Sequence, residues 1–449
     1  MIERGRIIVV GGNAAGPAAA AKAKRVSPSA NVILFESGKY ISTGTCEIPY
    51  VISGDISDYK KIIFYDEEKY KKEKGVDVFT QHLVTEINRR GKFVVVKNLI
   101  DNSINKFSYD KLILATGSKA KQVDYLPQNA KNVFTLKSVS DLIKLKEYLS
   151  SNKVKTAAVI GSGYIGLEIV ESLKRLNLEI ILIEKEKLLL PSAETEISFL
   201  VQELLKKNGI RFFRNINNPK IQVSDNKLKT LELDGRIIDV DLVIIAIGFI
   251  PNSELAFQSK IELGNYGGIK VDNRLRTSDP NIYAAGDCIE IKNLITNKND
   301  YIPLAAIAHE YGHIAGGNAA GENYNTESIV KNLSVKIFDK YYISIGLSSS
   351  EAEKNKFYFS SVSEIAKNLI KVMPGSENTF GKILYEKNTK RILGASFFGG
   401  KEVSGYGDII SLLIRTKQPA NVLSSINYNY TPPLSPMVNL LSLLGSKIK

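Results

Sequence analysis

The chain of 449 residues has little cysteine and histidine and no tryptophan: it contains two Cys, three His and three Met. Two cysteines in so long a chain exclude a disulfide-stabilised scaffold, and we expect a reducing cytoplasm. Only His309 and His313 share a helical spacing, and no third ligand accompanies them, so we predict no metal site. No apolar run reaches the roughly 18 residues of a membrane-spanning helix. The first residues lack the apolar core of a signal peptide.

The remaining composition is that of a globular protein with a basic surface. Apolar residues make up 44% and charged residues 24%, and the length suits two to four domains. The formal net charge is +13, but Lys and Arg are spread along the chain. We find no nucleic-acid-binding module and predict neither a nucleic-acid nor a membrane partner. Two explanations of the charge stay open: a solvated basic surface, or attraction of polyanionic cofactors or an acidic protein.

A glycine-rich turn between an apolar strand and a helix occurs twice. The first copy runs from a strand at 6–10 through Gly11–Gly16 to a strand at 31–36 that ends on Glu36. The second runs from 156–160 through Gly161–Gly166 to a strand ending on Glu184. Each pattern predicts a Rossmann-like βαβ unit, and two such units predict two bound dinucleotides.

The second loop carries the full fingerprint Gly161-x-Gly163-x-x-Gly166. Its glycines allow the turn, the approach to a pyrophosphate and the packing of helix on strand. Glu184, 23 residues after Gly161, is placed to accept hydrogen bonds from a ribose and to repel a 2′-phosphate. This favours NADH over NADPH, although Lys185 nearby leaves NADPH open.

The first loop departs from this fingerprint, because Asn13 stands at the position of the middle glycine. Glu36, 25 residues after Gly11, supplies a second candidate ribose ligand. Further on, an apolar strand ends in Gly286-Asp287, which places a carboxylate at a strand end where it can meet a cofactor hydroxyl.

Cys46 lies about 30 residues after the first glycine loop, in the run Ser42-Thr43-Gly44-Thr45-Cys46-Glu47-Ile48-Pro49-Tyr50. The position four residues upstream is Ser42, so no internal disulfide can form there. Redox chemistry at Cys46 must therefore use a mixed disulfide, a persulfide or a sulfenic acid. We expect Cys46 to begin a helix with Pro49 in its first turn, and the helix dipole to lower the thiol pKa. Cys288 is expected to be structural.

From about residue 326 the pattern changes to short alternating strands, at 334–338, 357–362, 382–386 and 392–398, and a helix near 408–415. No glycine loop accompanies them, so this segment predicts an α+β unit. A proline-rich tail around Tyr430 follows it.

Taken together, these motifs resemble the FAD-dependent pyridine nucleotide–disulfide oxidoreductases over essentially the whole chain. The resemblance rests on the runs 11–16 with Glu36, 115–117, 161–168, 248–252 and 285–287. It implies an α/β fold with two Rossmann-like dinucleotide-binding domains, for FAD and NAD(P)H, and a C-terminal α+β dimerisation domain. The expected boundaries are 1–112 with 246–325 for the discontinuous FAD domain, 113–245 for the NAD(P)H domain and 326–449 for the interface domain.

The resemblance also implies cofactor contacts from the loops and strand ends. The expected residues are Gly11, Asn13, Ala14, Ala15, Gly16, Glu36, Ser42, Ala115, Thr116, Gly117, Gly161, Gly163, Tyr164, Ile165, Gly166, Glu184, Gly248, Gly286, Asp287 and Ala305. Tyr164 is expected to gate the nicotinamide site.

Within the family, the run around Cys46 is similar to the single-cysteine branch, which holds coenzyme A–disulfide reductases, NADH oxidases and peroxidases, and sulfur reductases. The oxidases and peroxidases carry a His where this chain has Ala14, which argues against peroxide or oxygen as the substrate. The resemblance to coenzyme A–disulfide reductases implies substrate contacts from Lys22, Arg25, Ser42 and Thr45. It also implies a homodimer in which Tyr430 reaches Cys46 of the partner subunit and assists catalysis there.

The expected function is therefore reduction of a small disulfide or persulfide by NAD(P)H, with coenzyme A disulfide as the expected substrate. The family's Tyr-Tyr-Pro-Gly is replaced by residues 372–375, Val-Met-Pro-Gly, and a Lys-Arg pair by Tyr406-Gly407. These departures keep a sulfur or polysulfide reductase open, as well as an NADH oxidase. An alternative of another class is a flavoprotein reductase for a ferredoxin- or rubredoxin-like carrier.

Overall fold

The structure is a computed structural model that describes residues 5–127 and 129–449. The first four residues of the expected FAD domain and Gln128 of the expected NAD(P)H domain lie outside the described residues. The α-helices are α1 Ala15–Val26, α2 Ile48–Ile52, α3 Glu67–Lys74, α4 Val139–Ser151, α5 Tyr164–Arg175, α6 Thr195–Lys207, α7 Glu254–Gln258, α8 Ala305–Ala319, α9 Ser349–Lys354, α10 Val403–Arg415 and α11 Leu440–Ser446.

The strands of the first half are β1 Arg6–Val10, β2 Asn31–Phe35, β3 Ile41–Thr43, β4 Ile63–Tyr65, β5 Asp77–Phe79, β6 His82–Asn88, β7 Phe93–Asn98, β8 Ile104–Ser108, β9 Lys111–Leu114, β10 Ser118–Ala120, β11 Val133–Thr135, β12 Thr156–Ile160, β13 Glu179–Ile183 and β14 Arg211–Phe213. Those of the second half are β15 Lys220–Ser224, β16 Lys227–Leu233, β17 Arg236–Asp239, β18 Leu242–Ile245, β19 Phe249–Pro251, β20 Ile282–Ala284, β21 Ile291–Lys292, β22 Asn299–Asp300, β23 Asn332–Ile337, β24 Lys340–Gly346, β25 Phe359–Lys367, β26 Asn378–Glu386 and β27 Ile392–Gly399.

The first parallel sheet has the strand order β20-β9-β1-β2-β5. Its central strand is apolar on both faces, and Ile7, Ile8 and Val9 are fully buried, as a sheet covered on both sides requires. β20 joins this sheet from far along the chain by pairing in parallel with β9. The sheet is therefore assembled from two separate stretches of sequence.

The second parallel sheet has the order β11-β18-β12-β13-β14 and repeats the same local arrangement. In both sheets the strand before the glycine loop pairs in parallel with the strand that ends in the predicted ribose ligand. Helix α1 follows β1, and α5 follows β12, so both loops lie at the carboxyl ends of strands, where such folds bind nucleotides. The predicted fold class is confirmed. The domain boundaries themselves remain predictions.

The C-terminal unit is an antiparallel sheet of order β23-β24-β27-β26-β25 with α10 and α11 packed on it. Several expected bounds were wrong: β23 begins at Asn332 rather than at 334, and β26 at Asn378 rather than at 382. β25 covers Phe359–Lys367 rather than 357–362, and α10 begins at Val403 rather than near 408. The strand runs on because it pairs with β26 along its full length, from Phe359 opposite Glu386 to Lys367 opposite Asn378.

Buried carboxylates join the second nucleotide unit to the C-terminal sheet. Glu171 on α5 pairs with Lys336 and accepts a hydrogen bond from the backbone N–H of Phe338 at 2.6 Å. Glu194, just before α6, pairs with Lys382 at 2.8 Å and accepts hydrogen bonds from Ser349 N and Oγ, both at 2.7 Å. The two units thus share polar contacts as well as one hydrophobic core.

None of the helices in the described part of the chain combines the length and the hydrophobicity that crossing a bilayer requires.

We expect Lys382→Met to lower the free energy of unfolding by about 3 kcal/mol, because Glu194 would remain buried without a cation. The side chains of this pair are 12% and 3% exposed. Lys220→Met is the matched control, since the Lys220–Glu232 pair is largely exposed and should contribute less than about 1 kcal/mol. Urea unfolding measures both. Equal losses in the two variants would contradict the stabilising role of the buried Lys382–Glu194 pair.

Candidate active site

Both glycine loops open onto one large cavity of about 2750 Å³. Most of the predicted cofactor ligands line it. They are Gly11, Asn13, Ala14, Ala15, Glu36, Ala115, Thr116, Gly117, Gly161, Gly163, Tyr164, Ile165, Glu184, Gly248, Gly286, Asp287 and Ala305. Thr45 and Cys46 line the same cavity. The structure therefore brings both nucleotide loops and the redox candidate to one place.

The first loop is held by Glu36, at the end of β2. One carboxylate oxygen accepts a hydrogen bond from Gly12 N at 2.6 Å, and the other accepts one from Gly38 N at 2.5 Å. Gly11 has a φ of +112°, and a Cβ there would lie 2.0 Å from the carbonyl oxygen of Ala115. Only glycine fits that position. Glu36 thus organises the loop; its contact with a ribose stays a prediction.

The second loop repeats this design with a different partner. Glu184, 5% exposed, accepts hydrogen bonds from Ser162 N at 2.9 Å and Ser162 Oγ at 2.6 Å. At Gly163, an added Cβ would meet nothing within 4 Å, which leaves the backbone accessible to a pyrophosphate. We did not predict a role for Ser162, although its place between the two glycines was a visible signal.

Cys46 lies at the junction of the two nucleotide units. It sits in a single 3₁₀ turn, Thr45–Glu47, directly ahead of α2. Pro49 is in the first turn of α2, as predicted. Buried Ile48, Val51 and Ile52 of α2 join the hydrophobic core that contains α4 and α5 of the second unit. The thiol itself is exposed to the cavity.

The predicted lowering of the thiol pKa is wrong for the groups that this chain supplies. Although the residue is exposed to the cavity, the surrounding cavity wall partly desolvates its thiol and raises the pKa of Cys46 above its usual value, and the carboxylates of Glu47 and Glu168 raise it further. The ammonium of Lys137 opposes them. Cys46 stands ahead of a helix of only five residues, which offers a weak dipole.

Lys137 was missed by the sequence reasoning. Its ammonium pairs with Asp287 at 3.3 Å and lies 4.3 Å from the ring centroid of Phe249. Asp287 also accepts a hydrogen bond from Ser118 Oγ at 2.9 Å. Lys137 directly precedes Ser138, the N-cap residue of α4. This position predicts the start of the helix but not the direction of the Lys137 side chain. Lys137 therefore links the predicted cofactor carboxylate to the electrostatics of Cys46.

Glu168 was the second missed residue. It follows the fingerprint on α5 and lines the cavity. Burial and the neighbouring Glu171 raise the pKa of Glu168 to about 7. Because it also raises the pKa of Cys46, its carboxylate is coupled electrostatically to the thiol. A carboxyl group that titrates near neutral pH can hold or release a proton inside this cavity.

Tyr164 stacks on Tyr342 of the C-terminal sheet, with ring centroids 6.0 Å apart and an interplanar angle of 13°. Its hydroxyl accepts a hydrogen bond from Ser192 Oγ at 3.2 Å. Its predicted gating role remains a prediction.

Several predicted residues do not line the cavity. Gly16 and Gly166 instead pack helix on strand, and a Cβ at either would lie within about 2 Å of a loop carbonyl oxygen. Ser42, Lys22, Arg25 and Tyr430 are also outside the cavity lining. Lys22 pairs with Glu322 at 3.0 Å, and Tyr430 is 44% exposed.

Cys288 is fully buried, and its thiol donates to the carbonyl oxygen of Ala285 at 3.3 Å. It is thus in a structural setting. Among the described residues, no three His, Cys, Asp or Glu side chains are grouped so as to hold a metal ion.

Two dinucleotide loops that face one cavity, with a thiol on its wall, define a two-nucleotide redox enzyme. The glycines around the cavity leave room for two dinucleotide cofactors. A Cβ at Gly163 would meet nothing within 4 Å, and the same holds at Gly117 and Gly248, which also have positive φ. A family profile described as pyridine nucleotide-disulphide oxidoreductase matches residues 5–312. The chain belongs to this family and is an oxidoreductase that uses FAD and NADH or NADPH.

Relatives of similar length support the family assignment. The chain is 30% identical to a protein of Methanocaldococcus jannaschii named NADH oxidase, over 98% of this chain and 97% of that protein. It is 30% identical to the NAD(P)H sulfur oxidoreductase (CoA-dependent) of Pyrococcus furiosus, over the whole of both chains. It is 28% identical to a coenzyme A disulfide reductase of Staphylococcus aureus, over 99% of this chain and all of that protein.

Among solved structures, the reduced CoADR-RHD of Bacillus anthracis superposes with a TM-score of 0.94 at 30% identity. The match covers 99% of this chain and 80% of that one.

We expect Glu168→Gln to lower the pKa of Cys46, and Lys137→Met to raise it. The first variant removes a negative charge and the second a positive one. Because Glu168 has a pKa of about 7, its substitution should change little below pH 6 and most above pH 8. The rate of alkylation of Cys46 against pH measures both effects, in a Cys288→Ala background. Identical profiles in all three proteins would disprove the coupling.

Proposed function

We propose that the chain reduces a small disulfide, coenzyme A disulfide foremost, with NADH through the single thiol of Cys46. The observation that carries this proposal is the position of that thiol on the wall of the cavity shared by both nucleotide loops. The other cysteine, Cys288, is buried and turned toward backbone carbonyl groups. Cys46 has no sulfur partner among the described residues, so it must exchange with a sulfur that the substrate brings.

Bound FAD supplies the two-electron relay between the nicotinamide and the sulfur of Cys46. The thiolate of Cys46 attacks one sulfur of the substrate disulfide, which breaks the S–S bond, forms a mixed disulfide and releases one thiolate. That thiolate takes up a proton. Two electrons then break the mixed disulfide, release the second thiol and restore the Cys46 thiolate. In sum, one disulfide, one NADH and one proton give two thiols and NAD⁺.

The charged neighbours of Cys46 suit this cycle. Lys137 is a fixed cation that favours the thiolate. Glu168, with a pKa of about 7, is suited to hold the proton that a departing thiolate requires. Desolvation raises the pKa of the Cys46 thiol and so opposes the effect of Lys137.

A group of basic side chains on α1 and α8 supports coenzyme A as the small thiol. Lys22, Arg25 and His309 lie close enough to His313 to lower its pKa, together with burial. His309 and His313 are in edge contact, with centroids 4.6 Å apart. Such a cluster suits the phosphates of coenzyme A. The names of the Pyrococcus furiosus and Staphylococcus aureus relatives point to the same thiol.

We further propose a homodimer formed through the C-terminal unit. Apolar side chains on that unit are left exposed, among them Leu412, Leu434 and Met437 at 60%, 72% and 75%. We expect these side chains to be covered in the dimer. Tyr430, in the same tail, would then be available to Cys46 of the partner subunit.

Two other acceptors remain as candidates. The Pyrococcus furiosus relative is named for sulfur, which favours a polysulfide or persulfide as a second substrate class of the same thiol. The Methanocaldococcus jannaschii relative is named NADH oxidase, which favours oxygen. Ala14 stands where oxidases of this branch carry a His, so we rank oxygen below the sulfur substrates.

The test is an anaerobic titration of the oxidised holoenzyme with NADH. We expect a long-wavelength absorbance band, from the Cys46 thiolate beside the flavin, and release of a thiol whose mass identifies it. Cys46→Ser should lose the band and at least 100-fold in disulfide turnover, whereas Cys288→Ala, the matched control, should keep both.

Undiminished disulfide turnover in Cys46→Ser would refute the proposal. Salt-sensitive turnover of a ferredoxin or rubredoxin, unaffected by the loss of Cys46, would instead support an electron-carrier reductase.

A further inference from the structure

Asn13 stands where the fingerprint has its middle glycine, and its side chain contacts the strand that leads to Cys46. Its Oδ1 accepts a hydrogen bond from Thr43 N at 3.1 Å and a second from Thr43 Oγ1 at 3.3 Å. A backbone N–H can only donate, so the amide oxygen must point toward Thr43. The side chain of Asn13 therefore joins the first glycine loop to β3.

This contact belongs to a run of three bonded backbone N–H groups. Ser42 N donates to the carbonyl oxygen of Gly12 at 2.8 Å, and Gly44 N donates to that of Ile62 at 2.8 Å. Thr43 N, between them, donates to Asn13 Oδ1. The chain is thus hydrogen-bonded to the glycine loop at Ser42 and Thr43, and to Ile62 at Gly44.

Ser42 adopts a φ of +47°, in the left-handed region that non-glycine residues seldom occupy. Such a conformation persists where the surrounding contacts hold it in place. The hydrogen bonds of Ser42 and Thr43 to the glycine loop supply that restraint. Cys46 follows three residues after Thr43, so the direction in which the chain leaves Ser42 decides where the thiol lies.

The second nucleotide unit shows that the loop itself does not need this side chain. Its counterpart, Gly163, has no side chain, and a Cβ there would contact nothing within 4 Å. Both units hold their loops by a strand-end carboxylate to the next backbone N–H, from Glu36 and from Glu184. The first unit, whose glycine loop is bonded to the strand leading to Cys46, has Asn at the middle position of the fingerprint. The second unit has Gly there.

We propose that Asn13 is a positioning residue that sets the Cys46 sulfur against the flavin by fixing β3 to the first glycine loop. The inference rests on the proposed function, because it assumes that the thiol exchanges electrons with the bound FAD. It assigns to Asn13 a role beyond the cofactor contact expected from the sequence.

The test compares Asn13→Gly, which restores the fingerprint, with Asn13→Asp, which keeps an acceptor oxygen at the same place. The holoenzymes are assayed for FAD content, for the rate of flavin reduction by NADH and for the long-wavelength thiolate band. We expect Asn13→Gly to keep the first two within about twofold, because the nucleotide loops are intact. The band should fall by at least half and disulfide turnover about 10- to 100-fold, because the sulfur is displaced.

Asn13→Asp should retain the band but shift its appearance to higher pH, because an added carboxylate raises the pKa of the nearby thiol. Thr43→Val removes the hydroxyl donor and keeps the backbone donor, so its loss should be smaller than that of Asn13→Gly. Thermal unfolding of each holoenzyme checks that the fold is unchanged.

A full-strength band at its wild-type pH in Asn13→Gly would overturn the proposal. So would a parallel loss of FAD, since it would make Asn13 a cofactor ligand only. If the wild-type enzyme shows no thiolate band, the proposed function fails instead, and the two failures are thereby distinct.

Discussion

A carboxylate at the end of the second strand of each nucleotide unit holds the glycine loop beside it. Glu36 binds Gly12 N, and Glu184 binds Ser162 N and Oγ. These bonds fix the loops across the carboxyl ends of two parallel sheets, and both loops then border one cavity. Strand β3, which leads to Cys46, is hydrogen-bonded in turn to Gly12 and Asn13 of the first loop. The position of Cys46 therefore depends on the position of Glu36.

Cys46 lies where the two units meet, and each unit contributes one restraint. β3 is bonded to the first glycine loop, whereas the apolar face of α2 packs into the core of the second unit. The thiol is thus held between the two nucleotide units. Its electrostatic surroundings are mixed, with Lys137 opposed by Glu47 and Glu168. On balance these groups and the desolvation of the thiol raise its pKa.

Features encoded within a few residues could be predicted from the sequence. The two βαβ units, the packing role of Gly166, and Pro49 in the first turn of α2 follow from local spacing and backbone geometry. The direction of the pKa shift of Cys46 could not, because it reflects desolvation in the folded chain and the charges of Glu168 and Lys137, which lie far from Cys46 in the sequence. Asn13 was expected as a departure from the glycine pattern and as a cofactor contact, but not as a contact of Thr43, which becomes adjacent only in the folded chain.

The buried ion pairs between the second nucleotide unit and the C-terminal sheet limit which segments can be exchanged between homologous enzymes. Glu171 and Glu194 have their cations, Lys336 and Lys382, on the other side of the boundary. A middle unit grafted into a homologue would bring two buried acids without their bases. Exchange between such enzymes, in evolution or in the laboratory, is therefore constrained to carry the C-terminal sheet along with the second nucleotide unit.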